Sequence, residues 1–587
     1  MDPFFFQNPK QTMKHTYILL IILLILSHFG CNLSVSDGET QSLNYQISYN
    51  ANPECHLLVQ LQFEGYSSGK TRMIIPHEWA WQDSYEKGIK NLKLLSPDGQ
   101  LTLADNGIDY EISHPAGQTI IIQYEVKPYW EGPINREVYY RPIIKPGYFH
   151  FIGHGVFVYP DWNPSVTRQI RVEWKGIPDD WQMANSFGKN EREQFLNHSI
   201  NELCHSVYMA GDFLIQEADI AGFPVYIALR GEWKFPQDEL PVLVEKVVYA
   251  VRGFWNDYDF PYFLISTIPI DNQNSKGGTG LTNSFALFVS DDHENLDDLR
   301  FLLTHELFHT WNGRKIQREE PEELIYWFSE GFTNYYTRLI LLRNGLITLQ
   351  EFISSYNQTL IEYFCSPAIN ATNEEVLSQA HKDRFIDRMP YLRGDILAFR
   401  WNTLIKQTSS HSLDDLIFDL FQEAQTSRMV VSMDNLAMLM KRLVPEGVEQ
   451  DMERYLVRGE TLVPGANDLG PGAVVNDVVT YLFDLGFTFE ESDSPKNWLV
   501  TEINENSPVW KAGLRKGYTI TGRSIHWGQA NQPIILVFIN DQGKKTRIEY
   551  LPRGEKKMVP QYQLNEEFFQ KNRAACLKWF GVTGNER

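Results

Sequence analysis

Cysteine is scarce in this chain: there are 5 in 587 residues, and no two form a CxxC pair. That scatter argues against a sulfur metal centre and gives little support to a disulfide framework. Basic charge is also short. Lys and Arg number 53 against 74 Asp and Glu, a formal net charge of -21. Proteins that grip phosphate backbones need a basic face, so no nucleic-acid partner is expected. Long apolar runs are missing too. The run from Tyr17 to Leu26 falls short of the roughly 20 residues that a membrane-spanning helix requires. Low-complexity tracts and short-period repeats are absent. What remains is ordinary globular sequence, too long for a single core, so about two to four domains are expected.

The N-terminus stands apart. Lys14 and His15 precede the apolar run, which ends in Ser27-His28-Phe29-Gly30-Cys31. This is the layout of a secretory signal, with Met13 as a suitable start. Gly30-Cys31 resembles a bacterial lipobox, in which the Cys is acylated and becomes the mature N-terminus. Residues 1–31 are therefore expected to direct export to the bacterial cell envelope. Membrane attachment is expected only through lipid on Cys31, in the periplasm or at the cell surface. An ordinary signal peptide or an uncleaved anchor is the alternative.

The remainder predicts a multidomain α+β chain. Residues 40–235 alternate apolar and polar side chains, as in Leu57-Leu58-Val59-Gln60-Leu61-Gln62-Phe63, and predict a β domain. From 236 to 460 the period becomes helical. Helices are expected at 236–255, 296–311 and 322–343, with a strand at 261–270. Thr348 and Glu351 form a capping box for a further helix. Pro464-Gly465 and Pro471-Gly472 mark a linker. A small β-rich domain is expected at 475–558, with a tail at 559–587 holding a helix near Glu566 to Trp579.

Chemistry concentrates at His305-Glu306-Leu307-Phe308-His309. Residues four apart on a helix stack on one face, so both histidines can reach one zinc ion. Zinc needs a third protein ligand and an open position. Trp327-Phe328-Ser329-Glu330-Gly331-Phe332 supplies a carboxylate amid apolar flanks, where an acid requires a partner. One Zn2+ per chain, on His305, His309 and Glu330, is the expectation. His150 and His154 share the four-residue spacing, but their setting predicts a strand and turn. Four strand residues span roughly 13 Å, too far for one ion. Those histidines, and the neighbours Cys204-His205, are expected to be structural.

With these residues in view, the set His305 to Asn312 and Trp327 to Thr333 resembles the glycyl aminopeptidase family of gluzincin zinc peptidases. The resemblance implies an N-terminal β-sandwich or saddle domain, a thermolysin-like, mainly helical catalytic domain and a C-terminal PDZ-like β domain. It also implies Glu306 as general base. Tyr391, in Tyr391-Leu392-Arg393-Gly394, would donate to the reaction's oxyanion. Peptides or proteins would be the substrates.

Two positions depart from that family's pattern. Where the family has an Asp supporting a zinc-bound His, this chain has Asn334, whose amide oxygen can accept the imidazole N–H without adding charge. Where the family has Gly-Gly-X-Glu-His, with the Glu holding a substrate's free amine, this chain has Gly277-Gly278-Thr279-Gly280-Leu281. The loop Gly277, Gly278, Thr279 and Gly280, with the strand Phe285 to Val289, is expected to pair with an extended substrate backbone.

Farther on, Asn506 to Gly517 resembles the helix and turn of bacterial PDZ domains. Leu485-Gly486-Phe487 resembles their carboxylate-binding loop, which implies a peptide C-terminus as a partner. The sequence thus supports a zinc peptidase of aminopeptidase type. One alternative is an endopeptidase, or a peptidase indifferent to a free N-terminus. The other is a non-catalytic PDZ-containing binding protein.

Overall fold

The computed structural model describes residues 41–582, apart from 53, 81, 259, 272–274, 294, 381, 428, 444–446 and 493–496. The expected signal segment and Cys31 lie outside the described residues. Among those described, no helix is long and apolar enough to cross a membrane.

Alternation builds the first region. Ser42–Asn50 buries every second side chain, and Thr119–Val126 does the same. Both belong to a six-stranded sheet ordered Glu193–His198, Arg168–Lys175, Ser42–Asn50, His56–Glu64, Thr119–Val126 and Ile89–Leu94. A four-stranded and a five-stranded sheet share its core, where Tyr45, Ile122, Phe149, Trp174 and Tyr208 meet. One short helix, Ile200–Cys204, interrupts the β region behind a Ser199/Glu202 capping box.

A second five-stranded sheet carries the cleft. Its order is Leu214–Ile220, Phe223–Leu229, Phe263–Ile270, Ser284–Ser290 and Lys276–Leu281. Strands 214–220 and 223–229 pair into it, so sheet connectivity runs across the division expected at 235/236. The expected substrate-pairing strand, Phe285 to Val289, requires correction. Ser284–Ser290 is interior, with Phe263–Ile270 on one side and Lys276–Leu281 on the other. Its ladder positions are taken, and the edge is Lys276–Leu281.

Helices follow at Glu239–Trp255, Asp297–Phe308, Leu349–Cys365 and Arg384–Thr408. The Thr348/Glu351 capping box opens the third of these, and a like box at Thr372/Glu375 opens Asn373–Gln379. The single helix expected over 322–343 is three pieces: a turn at Glu322–Leu324, then Tyr326–Ser329 and Gly331–Arg343. Glu330 stands at the last junction.

Two glycines determine how these helices meet. A Cβ added to Gly394 would lie 1.7 Å from the Trp327 carbonyl oxygen, and one added to Gly331 would lie 2.4 Å from Gly394 Cα. The crossing therefore tolerates no side chain at either position. It is locked by the buried ion pair of Arg338 with Asp395, to which Thr359 Oγ1 also donates at 3.0 Å.

The C-terminal region is again β. Five strands between Phe487 and Tyr550 enclose Phe487, Val500, Ile520, Leu536 and Phe538. A ribbon of Ala473–Phe483 with Arg553–Leu564 docks on Leu349–Cys365: Asn357 Nδ2 donates to the Tyr562 carbonyl at 2.8 Å, and Tyr562 N donates back at 2.7 Å. Helix Glu566–Trp579 follows, and Arg343 Nε donates to the Phe580 carbonyl at 2.6 Å. The chain is thus a multidomain α+β protein: N-terminal sheets, a central helical region and C-terminal sheets.

Candidate metal centre

His305 lies on Asp297–Phe308 and His309 caps that helix. One helical turn apart, their Nε2 atoms face each other at 3.1 Å. The crossing at Gly331 and Gly394 brings in Glu330, whose Oε2 is 3.3 Å from each Nε2. Among the described residues these three form the one group of ligand-type side chains with donor atoms within 4.8 Å of one another.

The donor set specifies its occupant. His309 Nδ1 lies 3.0 Å from the Asn312 carbonyl, which can only accept. His305 Nδ1 lies 3.0 Å from Asn334 Oδ1. Both Nδ1 atoms therefore carry the proton, and two Nε2 lone pairs converge with a carboxylate oxygen. Three electron-rich atoms this close require a cation among them. Ligands about 2.0–2.1 Å from a tetrahedral zinc stand about 3.3 Å apart. The observed spacings match, so these residues fit zinc.

Neighbours fix the ligands. Asn334 also reaches the Tyr391 carbonyl through Nδ2 at 3.5 Å. Asn312 Nδ2 donates to the Ser329 carbonyl at 3.2 Å and to Thr333 Oγ1 at 3.1 Å, tying the histidine helix to the Glu330 junction. Burial pushes the Glu306 carboxyl above its ordinary value, against the pull of His305, His309 and the Gly280 N–H. The Tyr391 ring stacks at 6.3 Å from that of His305. Burial, then the nearby Glu330 carboxylate, raises its phenol well above the usual range, so it stays protonated.

These groups line a cleft of about 840 Å³ with Gly277, Gly278, Thr279 and Gly280 along one wall. Two outward groups of that edge strand are already engaged. Tyr140 Oη donates to the Gly278 carbonyl at 2.9 Å, and the Gly280 N–H bonds Glu306. A Cβ on Gly280 would lie 3.2 Å from the Glu306 carbonyl oxygen and 3.5 Å from Arg314 Nη2. Arg314 comes from the turn after the histidine helix.

His150 and His154 are placed apart from this centre. His150 is buried with Nε2 2.9 Å from Ser266 Oγ, and burial lowers its pKa to about 3. His154 stacks on Trp79, with ring centroids 5.0 Å apart. Cys204 is buried in the N-terminal core, whereas His205 lines the cleft and accepts from Arg314 Nη2 at 3.1 Å. Packing alone was expected of His205. Its cleft position depends on the N-terminal sheets folding against the central helical region, which local sequence does not encode.

Leu485, Gly486 and Phe487 form a turn far along the chain, entering the edge strand Phe487–Glu491. Gly486 has φ +77°, and its N–H is taken by Asp484 Oδ1 at 2.8 Å.

Residues 298–412 match the M61 glycyl aminopeptidase family. No curated protein matches the chain. Among solved structures, an aminopeptidase N family protein from Idiomarina loihiensis is similar at a TM-score of 0.67 and 14% identity, over 92% of this chain and 100% of that one. That likeness shows the fold. An M1 zinc metallopeptidase from Deinococcus radiodurans aligns at a TM-score of 0.45 and 15% identity, over 73% of this chain and 95% of that one. Residues 298–412, the stretch that matches the M61 glycyl aminopeptidases, hold His305, Glu306, His309, Glu330 and Tyr391, so the candidate metal centre lies within the part of the chain that is similar to that family.

Proposed function

We propose that the chain hydrolyses peptide bonds in the cleft, with zinc held by His305, His309 and Glu330. One observation carries this reading: the near-equal spacing of Nε2, Nε2 and Oε2 while both Nδ1–H groups are committed elsewhere. Zinc bound there supplies the Lewis acidity that lowers the pKa of a water toward neutrality. Glu306 takes the proton from the attacking water. Glu306 then passes that proton to the leaving amine. Tyr391, kept protonated, donates to the carbonyl oxygen as it gains charge. Asn334 holds the tautomer and orientation of His305. In a Glu306→Gln variant we expect zinc to stay bound and hydrolysis to fall by about 10²–10⁴. Loss of metal from that variant would count against Glu306 as a base.

A second reading concerns substrate choice. Gly280 offers no charge to an α-ammonium, so we propose a peptidase that does not require a free N-terminus. Cleavage confined to peptides with free N-termini would oppose it.

The C-terminal sheet supports a PDZ-like module acting as a brace. Arg384, which opens the Tyr391 helix, lies 3.7 Å from the centre of the Trp527 ring. The Gly486 N–H that a peptide carboxylate would seek is already bonded to Asp484. The N-terminal segment supports an exported lipoprotein acylated on Cys31. Fatty-acid labelling that persists in Cys31→Ser would contradict this.

A further inference from the structure

The cleft is lined by more cations than the reaction above uses, and five of them, Lys276, Arg314, Arg318, Arg338 and Arg388, differ in one respect. Lys276 lies 3.6 Å from Asp298, Arg318 pairs with Glu322 at 2.9 Å, Arg388 pairs with Glu362 at 2.8 Å, and Arg338 pairs with buried Asp395. Each has a carboxylate of its own. Arg314 has none among the described residues. Its two hydrogen bonds go to neutral acceptors, the Leu281 carbonyl and His205 Nε2. His205 cannot compensate the charge, because burial, then Arg314 and His154, hold its pKa well below the ordinary value.

Arg314 nonetheless remains charged. Burial lowers its pKa only to about 10, and Glu306 opposes that shift. A partly buried guanidinium whose hydrogen bonds go only to neutral acceptors, with no carboxylate bonded to it, keeps a charge that an anion can match. Two of its five N–H groups are engaged, which leaves donors for a planar anion. It also stands where a ligand would meet it, 3.5 Å from the point at which a Cβ on Gly280 would sit, beside the Glu306 carbonyl. The absence of a side chain at Gly280 keeps that approach open.

We propose that Arg314 determines specificity by binding a carboxylate of the peptide substrate close to the scissile bond. This rests on the peptidase reading and deepens it. Two sources share the chemistry: an acidic group on the N-terminal side of the bond, or the substrate's own C-terminal carboxylate. In either case a free ammonium beside Arg314 is repelled.

The test measures binding rather than turnover, which keeps it separate from the test of hydrolysis. Four matched tripeptides are titrated calorimetrically into zinc-loaded Glu306→Gln protein. They are an acetylated amide, a succinylated amide, an acetylated free acid and a free-amine amide. One of the two acidic peptides should bind about ten- to a hundredfold more tightly than the acetylated amide, the range of a charge-assisted hydrogen bond. The free-amine peptide should bind most weakly. Adding Arg314→Gln should abolish the acidic preference and leave the acetylated amide unchanged, while Arg314→Lys should retain part of it. Equal binding of all four, strongest binding of the free amine, or an acidic preference that survives Arg314→Gln would each overturn the proposal. A uniform loss across the peptides in Arg314→Gln would also overturn it, because that marks a structural role. Zinc-dependent hydrolysis by the wild type, measured separately, decides the underlying reading.

Discussion

Two pairs of histidines in this chain share the same four-residue spacing and meet opposite fates. His305 and His309 sit one helical turn apart with Nε2 atoms 3.1 Å from each other. His150 lies in a strand, while His154 lies in the turn after it and stacks on Trp79. Spacing alone therefore decides nothing; the backbone period does. The first pair also has committed Nδ1–H groups and a carboxylate opposite. His150 has Ser266 and burial, which favours the neutral ring. One pair is arranged to gather positive charge, and the other to avoid it.

The largest way to break this contrast is Gly394→Ala. The added methyl would collide with the Trp327 carbonyl and push the Glu330 junction away. The histidines would then lack their third ligand. We expect a loss of more than about 3 kcal/mol in stability, or failure to fold, together with loss of zinc; thermal unfolding and metal analysis measure both. An Ala variant with wild-type Tm and zinc content would refute the crossing as the organiser of the site.

Tyr391→Phe should lower kcat by about 10²–10³ with unchanged zinc content, since only the donor to the developing oxyanion is removed. Unchanged turnover would remove Tyr391 from the mechanism. Asn334→Asp sharpens the comparison by adding charge behind His305. Zinc affinity, read by competition with a chelator, should rise by about tenfold. A fall would mean that the neutral amide is required there.

The smallest effect concerns the other pair. Burial depresses the His154 pKa to about 4. A histidine depressed in the folded state contributes stability above its unfolded pKa of about 6.5, and that contribution is lost as pH falls toward 4. His154→Gln should therefore lose about 1–3 kcal/mol less than the wild type between pH 7 and pH 4. Parallel losses would show that His154 is not held neutral.

The parts of the site legible in sequence were the local ones. His305 and His309 follow from helical period, and Glu330 from an acid set among Trp327, Phe328 and Phe332. Asn334 and Tyr391 came through resemblance, and the structure brings both beside His305. What sequence did not disclose depends on contacts between distant segments. Gly331 and Gly394 each adjoin a catalytic element, yet nothing local says that they touch. The order of strands follows crossovers rather than composition, so the interior place of Phe285–Val289 was not legible. His205 and Arg314 are 109 positions apart and meet only because the N-terminal sheets close one side of the cleft. The alternating strands, the capping box at Thr348/Glu351 and the tail helix were readable because each is set by a few neighbouring residues.

The central claim is that His305, His309 and Glu330 hold one metal ion. Zinc content per chain, measured on purified wild type and on Glu330→Gln, tests it most directly. We predict one zinc per wild-type chain and a much weakened, chelator-labile site in the variant. A wild type without zinc, or a variant that holds it equally tightly, would contradict the account.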